Sequence, residues 1–274
     1  MPETVTLQLL REWGVPDAGG SKKSRGQVVV VGGSRRSPGG PLLSAEAALR
    51  VGAGRVGIVA PSAIVPQLGP AMPEAGIYEL PVGSDPVDDD LRSALESADV
   101  VLLGPGFDDP DATRAALHAV SGPDVSRLVL DAFALGILPS FERDLLPDEL
   151  IINANEEEAE LLLERDLGDD RAADIVEIAR HYRAVVHCFG TVATPDGRCW
   201  QAEPGGSGLG TAGSGDVLSG AITGFAALGV DAERAAVWGG WTHARAGDRL
   251  QERVGIGFLA RDLAPELTAV VHES

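Results

Sequence analysis

The stretch that organises the chain runs from Gly205 to Gly220 and reads GGSGLGTAGSGDVLSG. Six glycines lie between Gly205 and Gly215, so this backbone can adopt positive φ angles and point successive N–H groups at an anion. Apolar residues after Asp216 recur at helical spacing and predict a helix that ends near Gly229. The stretch therefore predicts an anion cradle at a helix N-terminus, with an acid in the first turn.

A flexible surface loop before a core helix is the alternative interpretation of these residues. In that case Asp216 only contributes a favourable negative charge at the start of the helix. The rest of the chain has to distinguish the two interpretations.

The composition indicates one large α/β domain and excludes several classes of partner. The 274 residues contain no evident linker, so we expect a single domain over residues 1–274. A formal net charge of −19 disfavours binding to nucleic acid or to anionic lipid. No apolar run reaches the roughly 18 residues of a membrane span, and residues 1–13 lack the pattern of a signal peptide. We expect a cytoplasmic protein.

Charge and cysteine usage also constrain the ligand. Cys188 and Cys199 lack metal-ligand spacing, which predicts reduced, partly buried thiols. In so acidic a protein, a phosphate-bearing ligand requires local groups: backbone amides, a cation, or the basic clusters at residues 22–25 and 35–36.

Strand and helix patterns alternate along the chain. The β-branched run Gln27–Gly32 predicts a strand buried on both faces, followed by a glycine-rich loop and a helix over about residues 41–51. The same reasoning predicts further strands at 55–60, 98–103, 127–130, 149–152 and 184–187, a helix at 156–164, and a hairpin of 191–193 with 198–202. This alternation predicts a mostly parallel, doubly wound sheet whose ligands lie at the carboxyl ends of the strands.

Two other segments need separate interpretation. Residues 52–57 match G-x-G-x-x-G, but they follow a helix and lead into a strand, which is the reverse of a dinucleotide-binding turn. The Ala- and Gly-rich stretch from Asp231 to Arg253 suggests two closely packed helices, with Trp238 to Trp241 in the core or at an interface. His243 in this stretch fits a core residue better than a catalytic base, although both interpretations stay open.

Several motifs in the same order resemble the ADP/ATP-dependent NAD(P)H-hydrate dehydratases, a branch of the ribokinase-like superfamily, from about Lys23 to Leu267. The motifs that carry the resemblance are Gly32-Gly-Ser34, residues 44–54, Gly104-Pro-Gly106, residues 211–220 and residues 257–263. The resemblance implies a ribokinase-like three-layer α/β/α sandwich. It also implies repair of hydrated NADH or NADPH, in which ADP or ATP with Mg²⁺ phosphorylates the hydrate hydroxyl and elimination restores the cofactor.

The resemblance also assigns roles to residues. Asp216 would be the general base, with Gly213 and Gly215 stabilising the transferring phosphoryl group. Gly40, Gly106, Asn155 and Asp216 would contact the hydrate. The nucleotide would be bound by His187, Cys188, Phe189, Gly190, Thr191 and Gly215. Relatives also form homo-oligomers. The epimerase domain often fused in this family is not found in this stretch, so we expect any such activity to come from another chain.

Three motifs depart from the family pattern. Asn153-Ala-Asn155 replaces Thr-Pro-His, His187-Cys188 replaces Lys-Gly, and Asp131-Ala-Phe133 replaces Asp-Ala-Asp. Asn155 and Glu158 also fit the N-x-x-E pattern that helps organise Mg²⁺ in the wider superfamily, although Glu156 to Glu158 equally fit a solvated helical turn. A small-molecule kinase, or a nucleotide-binding protein without the chemistry, therefore remains an alternative function.

Overall fold

The computed structural model describes residues 1–14, 20–81, 87–122 and 125–273. The strands are β1 (Glu3–Thr4), β2 (Gln27–Val31), β3 (Arg55–Ala60), β4 (Ala75–Glu79), β5 (Val100–Leu103), β6 (Arg127–Asp131), β7 (Glu149–Ala154), β8 (Val185–Cys188), β9 (Thr191–Ala193) and β10 (Cys199–Gln201). The helices are α1 (Leu7–Trp13), α2 (Gly40–Arg50), α3 (Val65–Ala71), α4 (Asp89–Glu96), α5 (Pro110–Val120), α6 (Glu156–Leu163), α7 (Arg171–Tyr182), α8 (Ser214–Ala227), α9 (Ala232–Val254) and α10 (Ala260–Glu273).

The strands of the described chain form one ten-stranded sheet in the order β1-β10-β9-β8-β7-β6-β5-β2-β3-β4. Strand pairs from β8 through β4 along this order are parallel, whereas β9 pairs antiparallel with both β8 and β10. The predicted parallel sheet and the predicted hairpin are both confirmed. Successive strands proceed outward on one side of β2 and then on the other, which makes the β2–β5 boundary the switch point of the sheet.

Helices cover both faces of the sheet. Alternate residues of β2 point to opposite sides: Val28 and Val30 join one hydrophobic core, and Val29 and Val31 join the other. The first core contains residues of α2, α8, α9 and α10, and the second contains residues of α4, α5, α6 and α7. Because a strand buried on both faces needs apolar side chains at every position, the uninterrupted valine run follows from these three layers. The predicted α/β/α sandwich is confirmed.

The prediction of two helices between Asp231 and Arg253 is wrong, because Ala232–Val254 is one helix. Its small residues allow close contact with α8: a Cβ on Gly239 would lie 2.8 Å from the Cα of Ile222. Trp238 is fully buried against Phe225, with ring centroids 5.7 Å apart, so it belongs to the core. Within the described ranges, no helix combines the length and apolar content that a membrane crossing requires.

Candidate active site

A cavity of about 410 Å³ lies where β6, β7 and β8 end and α8 begins. The cavity therefore lies at the carboxyl ends of parallel strands, the position at which such sheets commonly bind ligands. The described residues that line it are Asp131, Ala132, Asn153, Ala154, Asn155, Glu158, His187, Phe189, Gly190, Glu203, Pro204, Leu209, Gly210, Thr211, Gly213, Ser214, Gly215, Asp216, Leu218, Gly240 and His243.

Unpaired backbone donors mark the start of α8. Gly213 precedes the helix with φ 90°, and a Cβ there would lie 2.6 Å from the Leu43 side chain, so only glycine fits without strain. No side chain caps the helix. The N–H of Ser214 reaches the Thr211 carbonyl at 3.2 Å, but in the described chain the N–H groups of Gly215 and Asp216 have no acceptor. These two donors, at the positive end of the helix dipole, suit an anionic oxygen.

Asp216 lies among these donors and lines the cavity. Burial raises the pKa of its carboxyl group to about 6. Its backbone carbonyl is held in place, because it accepts hydrogen bonds from the hydroxyls of Ser44 at 2.8 Å and Ser219 at 3.1 Å. A carboxylate that titrates close to neutral pH is suited to accept a proton in catalysis and to release it afterwards.

Two further carboxyl groups line the same cavity. Burial, followed by the charges of Glu158 and Asp216, raises the pKa of Asp131 well above its ordinary value, although hydrogen bonds from Ser219 and Asn153 oppose the shift. Burial also raises the pKa of Glu158. The charges of Glu158 and Asp216 thus disfavour the ionised form of Asp131, whereas burial is the main cause at Glu158 and Asp216.

Asn155 and Glu158 form a capping box at the start of α6. The Asn155 side-chain oxygen accepts the Glu158 N–H at 2.8 Å, and Glu158 Oε2 accepts the Asn155 N–H at 2.9 Å. Both residues line the cavity, but this geometry also gives them a structural role.

Two buried histidines, His187 and His243, also line the cavity. His187 Nδ1 lies 2.9 Å from Asn153 Oδ1, and His243 Nε2 lies 3.0 Å from the Ser214 hydroxyl. Burial lowers the pKa of each histidine to about 4, so both are neutral at physiological pH. His243 therefore has the burial of a core residue while also facing the cavity.

Backbone strain is concentrated at the same edge of the sheet. Ala132 follows β6 with φ 50°, and Phe189 follows β8 with φ 47°. Non-glycine residues rarely adopt this left-handed conformation, which costs about 1–3 kcal/mol each. Phe189 is also 63% exposed, so its ring offers an apolar surface at the cavity mouth.

Other predicted site residues lie nearby but outside this cavity. Gly40 and Gly106 pack against each other at the switch point, where a Cβ on Gly40 would lie 2.9 Å from the Gly106 nitrogen. Cys188 and Thr191 line a second cavity of about 200 Å³, which shares Phe189 and Pro204 with the first. Both cysteines are free, as predicted. The basic clusters at 22–25 and 35–36 line neither cavity.

Asn153, Ser214 and His243 also line the cavity, although no sequence pattern predicted the first two there and a role for His243 was left open. Asn153 follows from the rule that residues at strand ends meet, because β7 continues through Ala154. Ser214 lies inside the quoted glycine motif. His243 carries no local signal, since it reaches the cavity from the middle of α9.

A divalent cation fits this cavity only in company with phosphate. None of the described residues lining the cavity is Lys or Arg, so an anionic ligand would face acids without a fixed positive charge. No group of three or more His, Cys, Asp or Glu side chains in the described ranges is arranged to hold a metal ion. Mg²⁺, however, commonly binds through one or two carboxylates plus substrate phosphates. The donor set suits an ion of that kind.

Known proteins of similar sequence act on NAD(P)H-hydrate. The chain is 38% identical over 285 residues to an ADP-dependent (S)-NAD(P)H-hydrate dehydratase from Xanthomonas campestris, covering 98% of this chain and 96% of that protein. It is 33% identical over 258 residues to a bifunctional NAD(P)H-hydrate repair enzyme from Coxiella burnetii, covering 92% of this chain but only 51% of that protein. The chain thus spans about half the length of the bifunctional relative.

Solved structures show the same fold. An ADP/ATP-dependent NAD(P)H-hydrate dehydratase from Bacillus subtilis, co-crystallised with ATP and Mg²⁺, matches with a TM-score of 0.80 at 23% identity over 96% of each chain. A ribokinase-like superfamily protein from Enterococcus faecalis matches with a TM-score of 0.81 at 21% identity, over 99% of this chain and 95% of that one. The ribokinase-like fold is therefore confirmed. A family model for NAD(P)H-hydrate dehydratase matches residues 28–269, and with the relatives above it shows that this chain belongs to the NAD(P)H-hydrate dehydratase family.

Proposed function

We propose that this chain dehydrates hydrated NADH and NADPH in a reaction driven by ADP or ATP. The observation that carries the proposal is the pairing of Asp216, whose pKa is raised to about 6, with the unpaired N–H groups at the start of α8. A base and an anion-stabilising site in one cavity are the two elements that phosphorylation of a hydroxyl requires.

In the proposed reaction, the hydroxyl oxygen of the hydrate forms a bond to the terminal phosphorus of the nucleotide as the bridging P–O bond breaks. Asp216 accepts the hydroxyl proton, and the amides around Gly213 and Gly215 stabilise charge on the phosphoryl oxygens. Loss of phosphate and of a ring proton then restores the nicotinamide. Gly40, Gly106 and Asn155 are proposed to contact the hydrate, and residues 187–191 the nucleotide.

Magnesium belongs to the proposal because the cavity lining offers no Lys or Arg among the described residues. Glu158 is the better candidate ligand, since only one of its oxygens is used in the capping box. Asn155 Oδ1 already accepts the Glu158 N–H and is the weaker candidate. The ion would neutralise phosphate charge beside the acids.

The direct test is to incubate the protein with hydrated NADH, Mg²⁺ and either ADP or ATP. Recovery of the absorbance of reduced nicotinamide, dependent on nucleotide, is the expected result. Nucleotide turnover on another alcohol without recovery of NADH would favour a kinase instead. That alternative relied on Asn155 and Glu158 and on the altered substrate-side motifs. The capping box explains Asn155 and Glu158 without it.

Two properties of the whole protein complete the proposal. We propose a homo-oligomer, as the resemblance implies, which light scattering during gel filtration would test. We also propose a cytoplasmic location, which is compatible with the two unbridged cysteines.

A further inference from the structure

His187 is a buried polar side chain that faces the cavity with one nitrogen unused. Only 4% of the residue is exposed, and its ring lines the cavity. Nδ1 contacts Asn153, but in the described chain Nε2 has no hydrogen-bond partner. In the described chain the fully buried side-chain nitrogens and oxygens without a partner are Trp200 Nε1 and Thr242 Oγ1, so His187 Nε2 is open to the cavity, where water or a bound molecule can supply a partner.

The strand register produces a polar row that leads to this nitrogen. Asp131 on β6 is paired with Asn153 on β7, and Asn153 is paired with His187 on β8. Their side chains are hydrogen-bonded in the same order, with Asn153 Nδ2 donating to Asp131 Oδ1 at 3.0 Å. Each side chain therefore fixes the orientation of the next.

This row determines which nitrogen of His187 carries the proton. Because the Asn153 amide nitrogen is directed at Asp131, its oxygen is the atom 2.9 Å from His187 Nδ1. An amide oxygen only accepts, so Nδ1 must carry the hydrogen. In a neutral imidazole, Nε2 is then an acceptor.

The surroundings favour the neutral ring and keep Nε2 uncovered. Burial lowers the pKa of His187 to about 4, and the nearest titratable group on α9, His243, is neutral as well. On the same helix, a Cβ at Gly240 would lie 2.7 Å from Nε2. Glycine at this position therefore leaves room over the acceptor atom.

We propose that Nε2 of His187 accepts a hydrogen bond from a neutral hydroxyl or N–H group of a molecule bound in the cavity, and that Asn153 is the positioning residue that fixes the acceptor tautomer. The proposal deepens the proposed function and rests on it, since the donor group belongs to the nucleotide or to the hydrate. An uncharged acceptor repels phosphate oxygens, so His187 selects a neutral part of the ligand.

The tautomer can be measured without turnover. Nitrogen-15 NMR of the histidine rings at pH 7 should show His187 protonated at Nδ1 and bare at Nε2. In Asn153→Ala, which removes the positioning amide, this Nδ1–H signature should be lost while the thermal unfolding transition remains cooperative. A wild-type ring protonated at Nε2 would overturn the proposal.

Two substitutions at His187 distinguish the contribution of Nδ1 from that of Nε2. His187→Asn keeps a donor near Asn153 but removes the acceptor. It should raise either the Kd for ADP or the KM for hydrated NADH by about 3- to 10-fold. His187→Gln places an oxygen near the Nε2 position and should restore most of this loss. His272→Asn, at an exposed position near the end of α10, is the matched control and should change neither value.

The readouts are the Kd for ADP, measured by calorimetry, and the KM for hydrated NADH. A rise in the Kd for ADP alone assigns the donor to the nucleotide. A rise in the KM for hydrated NADH alone assigns it to the hydrate. No change in either, with the unfolding temperature preserved, would overturn the proposal. Failure of the proposed function would instead abolish NADH recovery in the wild type while leaving the NMR result and the ADP measurement interpretable.

Discussion

Two helices begin at the cavity, and their first turns are built in different ways. At α6, Asn155 and Glu158 bond each other's backbone N–H groups in a complete capping box. At α8, the residue before the helix is Gly213, and no side chain caps the turn. Both first turns contain acids, so charge alone does not distinguish them.

The two helix starts differ in whether their N–H groups and carboxylates have hydrogen-bond partners. Glu158 uses one carboxylate oxygen to bond the Asn155 N–H, which offsets part of its burial. The carboxylate of Asp216 has no hydrogen-bond partner in the described chain, and the nearby N–H groups of α8 have none either. Unsatisfied groups at a partly buried helix start reduce stability, and their concentration at α8 indicates that this turn is arranged for a ligand.

The largest expected effect comes from removing the base at α8. Asp216→Asn keeps the size of the side chain but cannot accept the hydroxyl proton, so kcat for NADH recovery should fall by about 100-fold or more. Asp89→Asn, in α4 and outside the cavity, is the matched control and should leave kcat unchanged. Steady-state kinetics measure both. Full activity in Asp216→Asn would mean that α8 supplies no base.

A second substitution tests whether the glycine before α8 is needed for its shape. Gly213→Ala places a Cβ at φ 90° and 2.6 Å from Leu43, so we expect a stability loss of about 1–3 kcal/mol and a fall in kcat of roughly 10-fold as the amides shift. Gly229→Ala has a similar φ of 86° at the other end of α8, with open space around the added carbon. This control should lose stability without losing kcat, which separates strain from damage to the site.

The third expected effect concerns stability and pH. The pKa of Asp216 is raised to about 6 in the folded protein, above its usual value of 3.8, so the folded state binds the proton more tightly than the unfolded state. Stability from this group is therefore present at acidic pH and is lost as the pH rises from about 4 to 6. Relieving this cost in Asp216→Asn should stabilise the protein by about 1–2 kcal/mol at pH 8, after allowance for solvent screening.

Thermal unfolding of both proteins at pH 4 and pH 8 measures this effect. The variant should unfold about 2 to 6 °C higher at pH 8, and the difference should shrink towards zero at pH 4. An equal difference at both pH values would show that the gain does not come from proton binding at Asp216.

Sequence patterns specified the centre of the fold better than its edges. The valine run of β2 and the hairpin of residues 191–193 with 198–202 carry strong local signals, and both predictions are confirmed. The edge strands β1 and β4 were missed, because one has two residues and the other is only partly buried. The small residues of α9 suggested two closely packed helices, but Gly239 and Gly240 lie in one helix, where Ile222 and His187 approach it closely.

In the site as well, features within one short stretch of sequence were predictable, and contacts between distant residues were not. The Gly213 to Asp216 stretch predicted an uncapped helix start with an acid, because all the required residues are consecutive. The row from Asp131 through Asn153 to His187 depends on strand register over 22 and 34 residues of separation, which no local pattern encodes. The interpretation of Glu156 to Glu158 as the first turn of a helix proved correct, and the roles of Asn155 and Glu158 with substrate and metal stay predictions.

The smallest expected effect comes from breaking the cap of α6. Asn155→Ala leaves the Glu158 N–H without its acceptor, so the protein should lose about 1 kcal/mol of stability. Asn155→Asp keeps an oxygen at the same position and should retain the cap, since Asp is as effective there as Asn. Comparing the unfolding free energies and the KM values for the hydrate and for Mg²⁺ separates the two roles of this residue. If Asn155 acts only as a cap, Asn155→Ala changes stability and neither KM. If Asn155 also contacts the hydrate or the ion, the KM for that ligand rises in Asn155→Ala. The start of α6 would then take part in ligand binding, as is proposed for the start of α8.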